Sequence, residues 1–293
     1  MIAQSIARAR TFSSLVKLSH TVFALPFAAA AVALATLRPH IALSGSRVAL
    51  MLAAMVTART AAMAYNRYLD RDVDAANPRT RDREVPSGIV SPGAALALTI
   101  GSSAAFVASA VALGPWPGLL SVPVLLVLLG YSWTKRFTWA SHLVLGLALA
   151  LAPGGAWIAM GADPEPAIFA LMLGVLTWVG GFDVLYSLQD ETFDRANGLR
   201  SIPARFGTLG AVVISGALHV VTLASLVACG FWLGRGAAFY AGTALVALLL
   251  VYEHAIVGRG NLAKIDRAFF DINGYLSCAF FALTALDTWM VRG

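Results

Sequence analysis

Two stretches of this chain gather carboxylates in an otherwise apolar sequence. The first is Asn66-Arg67-Tyr68-Leu69-Asp70-Arg71-Asp72-Val73-Asp74. Asn66, Asp70 and Asp74 recur every four residues. On a helix each such step turns only ~40° past a full revolution, so the three share one face. The second stretch runs from Asp183 to Asp194. Its Asp183, Asp190 and Asp194 are spaced by seven and four, again on one helical face, with Tyr186 beside them. Asp183 lies inside an apolar segment, where an ionisable side chain is a functional candidate by default. Carboxylates stacked this closely repel, and one takes up a proton unless a cation lies between them. Clusters of oxygen ligands without His or Cys suit a hard cation, and Mg²⁺ binds through one or two carboxylates together with substrate phosphates. The chemistry indicated is therefore Mg²⁺-assisted handling of a diphosphate. Asn66, Asp70, Asp74, Asp183, Asp190 and Asp194 are the candidate metal-site residues. Asp70, Asp74, Asp190, Asp194 and Lys135 are the candidate catalytic ones. Arg79, Arg83, Lys135, Arg136 and Arg200, with Arg205 nearby, are placed to neutralise the remaining phosphate charge.

The two stretches repeat one another. Asn66, Asp70 and Asp74 align with Tyr186, Asp190 and Asp194 at an offset of 120 residues, and each set is followed by basic residues and then a proline, Pro86 or Pro203. A single such motif is commonly a solvated helix end carrying surface ion pairs. Two at a matching offset, one with an intramembrane aspartate, point instead to two related halves.

The elements that must position these residues are membrane helices. Charged residues are 12% of the chain and hydrophobic residues 59%, with a mean hydropathy of +0.76; soluble domains carry roughly 25% charged residues. Nine apolar segments are long enough to span a bilayer: 14–37, 48–69, 93–114, 116–134, 139–161, 165–188, 209–233, 236–257 and 268–290. The segment at 14–37 follows Arg8, Arg10 and Lys17 but is interrupted by His20 and Pro26, and reads as a first spanning helix rather than a signal peptide. The apolar runs continue from end to end, so one membrane domain over 1–293 is expected.

Orientation follows from Lys and Arg. Of 21 such residues, Arg38, Arg47, Arg235 and Arg292 fall on one side and Arg59 inside a span; the other 16 fall on the opposite side. By the positive-inside rule that side is cytoplasmic, and it includes the N-terminus. The long polar connections 70–92, 189–208 and 258–267 share this face, and so do nearly all the acids. The net charge of +6 thus reflects topology. It is not a nucleic-acid footprint, because no basic tail and no aromatic–basic interleaving accompany it. Cys229 and Cys278 lie in apolar segments without metal-ligand spacing, as small buried hydrophobes do.

These motifs resemble the UbiA superfamily of intramembrane aromatic prenyltransferases. NxxxDxxxD is met by Asn66, Asp70 and Asp74, and DxxYxxxDxxxD by Asp183, Tyr186, Asp190 and Asp194. Tyr131-x-x-x-Lys135-Arg136 resembles that family's YxxxKR stretch. Arg79-Thr80, Arg83 and Pro86-Ser87-Gly88 resemble its basic loop. The resemblance implies an all-α, polytopic membrane fold of about nine helices around a central cavity. It also implies transfer of a polyprenyl group from polyprenyl diphosphate to a small aromatic acceptor. Mg²⁺ and cations draw off the diphosphate, and the ring attacks the resulting allylic cation, commonly in quinone biosynthesis. Arg67 departs from the family, where many members carry Asp. Together with Asn77-Pro78-Arg79-Thr80 and the stretch from His20 to Phe27, it is closest to the bacterial 4-hydroxybenzoate polyprenyltransferase-like branch. Some members of that branch are thought to use 1,4-dihydroxy-6-naphthoate for menaquinone, so that acceptor is the alternative.

Lys17, His20, Tyr131 and Tyr186 are candidates for contact with the acceptor or carbocation. A snorkelling Lys17 and a structural His20 are equally ordinary readings. His142 reads as structural, and His219 and His254 show no companion ligands. Asp271 and Asn273 either reach the cavity or cap a helix. Arg59 requires an anion or a wet cavity. An ion-coupled secondary transporter is the competing class, since it shares intramembrane carboxylates and repeated halves. Transporters, however, gather such carboxylates near the midplane, whereas these acids gather at one face.

Overall fold

The computed structural model describes Leu15 and residues 21–257 and 265–292. Eleven α-helices make up its regular structure: α1 (Thr21–Ala35), α2 (Gly45–Leu69), α3 (Arg71–Ala76), α4 (Pro92–Leu113), α5 (Pro115–Thr134), α6 (Ser141–Ala159), α7 (Pro166–Tyr186), α8 (Glu191–Ala196), α9 (Ile202–Trp232), α10 (Ala237–Val257) and α11 (Ile265–Arg292). A 3₁₀ turn, Ser187–Asp190, joins α7 to α8. Among the described residues there is no strand.

Among the described residues, eight helices are long and apolar enough to cross a membrane, and the shorter apolar stretch Phe23–Ala35 accompanies them. All fall within a few residues of the segments predicted from hydropathy, apart from the start of α9. The first predicted span reaches back to residue 14; Leu15 is helical, while residues 16–20 lie outside the described residues. Large apolar side chains such as Trp116, Leu126, Leu209, Val220, Leu248 and Trp289 face outward. A soluble domain rarely exposes so much contiguous apolar surface, whereas a lipid-facing surface requires it. The protein is a multi-pass membrane protein.

Helix starts follow local chemistry. Ser91 caps α4 by accepting the Ala94 N–H at 3.2 Å, and Ser201 caps α9 by accepting the Ala204 N–H at 3.3 Å. A proline follows within two residues of each cap, where its missing N–H removes nothing from the helix. The α9 start precedes the predicted 209 because a short first turn leads into Gly207, whose φ of 71° breaks the helix. That left-handed backbone favours glycine, and it lets the first turn of α9 aim differently from the spanning part.

The chain forms two compact units. One comprises Met1–Thr21 and Val48–Trp133; the other comprises Val22–Arg47 and Thr134–Gly293. In the first unit, Leu15, Ala64, Val85, Val90 and Ala95 form a buried cluster, with Met63, Tyr68 and Leu98 packed against it. Val85 and Val90 thereby fasten the loop after α3 onto α2 and α4. The second unit is organised on α7, the most buried of the candidate spans, which packs most extensively on α9 and α6. At Gly146 of α6 an added Cβ would stand 2.2 Å from the Leu176 carbonyl oxygen, so the two backbones approach too closely for any side chain. Phe27, Trp178, Phe182 and Phe280 stack through this unit with ring centroids 5.0–5.2 Å apart.

Candidate active site

The first carboxylate cluster stands where α2 ends. Asp70 leaves the helix with φ −89° and ψ 4° and serves as the N-cap residue of the six-residue α3. Backbone bonds still run from the Asp70 N–H to the Asn66 carbonyl (2.9 Å) and from the Asp74 N–H to the Asp70 carbonyl (2.7 Å). The four-residue spacing therefore keeps its meaning across the break. Asn66 Nδ2 donates to Asp70 Oδ2 at 2.8 Å and to Ser132 Oγ at 3.2 Å. Arg67 Nη1 donates to Asn66 Oδ1 at 3.2 Å, which sets the amide with its NH₂ toward Asp70. Both aspartates are buried, Asp70 at 2% and Asp74 at 3% exposure.

Buried charge needs paired charge. Arg83 Nη1 reaches both carboxylate oxygens of Asp74 at 2.8 Å. Arg67, itself only 2% exposed, lies 3.6 Å from Glu84. The Tyr131 phenol is hydrogen-bonded to Ser132 and lies within electrostatic reach of Asp70, Arg67 and Arg59. Arg59 thus has company inside its span. The loop following α3 is anchored by Thr80, whose hydroxyl donates to the Asp74 carbonyl at 3.2 Å, and by Asn77 Oδ1, which accepts the Arg79 N–H at 2.9 Å. The Arg79 side chain itself is exposed.

The second cluster stands where α7 ends. Asp190 has φ −101° and ψ 0° and is the N-cap residue of α8, again six residues long. Its backbone nearly reproduces that of Asp70. Even the helix ends match at the offset of 120, with Asn77 and Asn197 as C-cap residues. The difference lies upstream. Asp183 and Asp190 were expected on one face of a continuous α-helix, but the 3₁₀ turn Ser187–Asp190 intervenes. A 3₁₀ turn advances ~20° more per residue than an α-helix, so Asp183 is rotated by ~80° relative to that expectation.

Asp183 instead meets His142 at the start of α6. His142 Nδ1 and Asp183 Oδ2 are 2.7 Å apart, and His142 Nε2 accepts the Ile202 N–H at 3.3 Å. Asp194 lies near Ser201 and within electrostatic reach of Asp190, Lys135 and His142. Lys135 is tied in through its backbone, whose carbonyl accepts the Arg200 N–H at 2.8 Å. Arg200 Nη1 donates to the Phe137 carbonyl at 2.7 Å. Arg136 is half-buried beside Lys135, as Tyr186 is at the end of α7. Arg205 stacks over Trp139 and Phe206 with its Cζ 5.7 and 5.3 Å from the ring centroids.

Lys17 and His20 lie outside the described residues. His219 Nδ1 and His254 Nε2 are 3.0 Å apart on neighbouring helices, a pairing that sequence spacing does not reveal. Asn273 is neither cap nor surface; it accepts from Trp178 Nε1 at 2.8 Å and donates to Glu253 Oε1 at 2.9 Å. Ser201 and Ser132 escaped the sequence reading. Only the position of Ser201 two residues before Pro203 hinted at a cap.

Comparison with known proteins shows the family. The model of the UbiA prenyltransferase family matches residues 24–282. The chain belongs to the UbiA prenyltransferase family. Among its relatives is the 4-hydroxybenzoate octaprenyltransferase of Azoarcus sp. (strain BH72), 31% identical over 232 residues that cover 79% of this chain and 80% of that one. A UbiA homolog from Aeropyrum pernix K1 has the same fold, with a TM-score of 0.80 and 34% identity over 93% of this chain and 98% of that one. A second UbiA homolog, from Archaeoglobus fulgidus and bound to GPP and Mg²⁺, superimposes with a TM-score of 0.70 at 19% identity, covering 95% and 99% of the two chains. Membership places the chain among prenyltransferases, not among ion-coupled transporters.

Proposed function

We propose that this UbiA-family member transfers a polyprenyl group from polyprenyl diphosphate to an aromatic acid of the 4-hydroxybenzoate type in respiratory quinone biosynthesis. The observation that carries the reading is the pair of matching junctions. Each ends a spanning helix in a buried or half-buried aspartate motif, within a chain related to a 4-hydroxybenzoate octaprenyltransferase.

The donor set fits Mg²⁺. Among the described residues no three His, Cys, Asp or Glu converge into a closed cage. Mg²⁺ rarely uses one; it binds through one or two carboxylates and completes its shell with phosphate oxygens and water. Asp70, Asp190 and Asp194 are the carboxylates best suited to this, with Asn66, Asp74 and Asp183 behind them. Bound there, Mg²⁺ supplies positive charge to the diphosphate and makes it a better leaving group.

The chain's own residues do the rest. Lys135, beside Asp194, is the first cation for the leaving diphosphate, with Arg136, Arg200 and Arg79 adding charge. Arg83 divides its charge between this task and Asp74. The allylic C1–O bond breaks with its electron pair leaving on the diphosphate. The acceptor ring carbon forms the new C–C bond and then loses its proton. Tyr131 and Tyr186, one in each unit, carry rings of the kind that stabilise a transient carbocation. In the membrane we place the N-terminus and both junctions on the cytoplasmic side of the inner (plasma) membrane, following the Lys and Arg bias, and treat residues 1–293 as one membrane domain.

The test is a reaction of purified protein with a polyprenyl diphosphate, Mg²⁺ and either 4-hydroxybenzoate or 1,4-dihydroxy-6-naphthoate, followed by mass spectrometry and diphosphate release. Prenylated 4-hydroxybenzoate is the expected product. Product from the naphthoate alone replaces the acceptor while keeping the chemistry. No product and no diphosphate release with either acceptor overturns the proposal.

A further inference from the structure

The four residues from Leu199 to Ile202 join Asp194, Lys135 and His142. The Leu199 N–H donates to the Asp194 carbonyl at 2.9 Å, and the Arg200 N–H donates to the Lys135 carbonyl at 2.8 Å. Ser201, near the Asp194 carboxylate, accepts the Ala204 N–H through its Oγ, and the Ile202 N–H donates to His142 Nε2. Gly198, with φ 67°, supplies the left-handed turn that lets the chain leave α8 into this strap.

His142 joins the strap to the spanning helix. A backbone N–H can only donate, so Nε2 must accept. Nδ1 then carries the ring's hydrogen and gives it to Asp183 Oδ2 at 2.7 Å. The ring is 4% exposed and uses both nitrogens. It also bridges positions 41 and 60 residues distant. One of these bonds orients Asp183 and the other holds Ile202, the residue after the Ser201 cap.

We propose that His142 is a positioning residue for diphosphate binding: it locks Asp183 and the Ser201–Ile202 turn, and with that turn the Leu199–Ile202 strap that is bonded to Asp194. The proposal rests on the prenyl-transfer reading above. Its action is mechanical. The ring needs one acceptor and one donor at fixed separation, and it exchanges no proton with substrate.

The test uses full-length protein in detergent and three measurements: binding of geranyl S-thiolodiphosphate with Mg²⁺ by calorimetry, steady-state prenylation, and thermal unfolding. His142→Leu removes both bonds. It is expected to weaken analogue binding by about 10- to 100-fold, the usual effect of losing a group that orients ligands from behind. His142→Gln can still accept from Ile202 through its oxygen and donate to Asp183 through its nitrogen, so it is expected to restore binding to within about threefold of wild type. Ser201→Ala, which leaves the ring in place, is expected to weaken binding about tenfold; it carries the test should the leucine variant fail to fold. The proposal is overturned if His142→Leu or Ser201→Ala binds as tightly as wild type, or if His142→Gln is as impaired as His142→Leu. Failure of the wild-type protein to bind the analogue at all overturns the prenyl-transfer reading itself, and this inference with it.

Discussion

The junctions after α2 and α7 share a backbone but not a means of holding their aspartates. Asp70 and Asp190 leave their helices with nearly the same torsions and open helices of equal length. Around the first, charge answers charge. Asp74 is gripped by Arg83, and the buried Arg67 lies against Glu84. Around the second, a neutral ring takes part: His142 bonds Asp183, while Ser201 and Lys135 lie near Asp194. A buried ion pair is strong only while both partners remain, whereas a neutral donor stabilises a carboxylate without cancelling its charge. The first junction is therefore suited to permanence.

The largest expected effect tests what the junctions share. Asp70→Ala and Asp190→Ala should each lower kcat/KM for prenyl transfer by roughly 10³-fold, the scale of losing a central electrostatic group, while the protein still inserts in membranes. Near-normal turnover in either variant breaks the equivalence. The next effect is confined to the first junction. Arg83→Leu strands a buried carboxylate and should lower stability by roughly 3 kcal/mol, seen as a drop in unfolding temperature, with Asp74→Asn added to it recovering most of the loss. If the double variant is no more stable than the single, the ion-pair account of that junction is wrong.

A smaller effect belongs to the second junction. Ser201→Ala removes the N-cap of α9 and should lower stability by about 1 kcal/mol. The smallest concerns Arg205, which stacks on Trp139 and Phe206. Arg205→Gln should lower the unfolding temperature by only what ~0.5–1 kcal/mol produces. A loss of activity beyond tenfold there would move Arg205 into the diphosphate site.

Much of this was legible from residues alone. The spans appeared because bilayer partition depends on the sum over a window of about 20 residues, and little on what the helix later touches. The carboxylate motifs appeared because four-residue spacing is itself a helical distance, and the break at Asp70 did not disturb the bonds from Asp70 to Asn66 and from Asp74 to Asp70. The 3₁₀ turn at Ser187–Asp190 was not legible. No residue type there enforces it, and it depends on how α7 and α8 are held from outside. The partnership of His219 with His254 was hidden for the same kind of reason: 35 residues and a helix connection separate them.

The sequence by itself determined a multi-pass membrane protein with two like aspartate junctions, because hydropathy and helical period are local free energies. Tertiary structure decided which group answers each aspartate. Arg83 reaches Asp74 from 9 residues away and His142 reaches Asp183 from 41. Such pairings depend on where helices come to rest against each other, and burial then makes the pairing obligatory. The spacing of the carboxylates was written along the chain; their neutralisation was settled only across it.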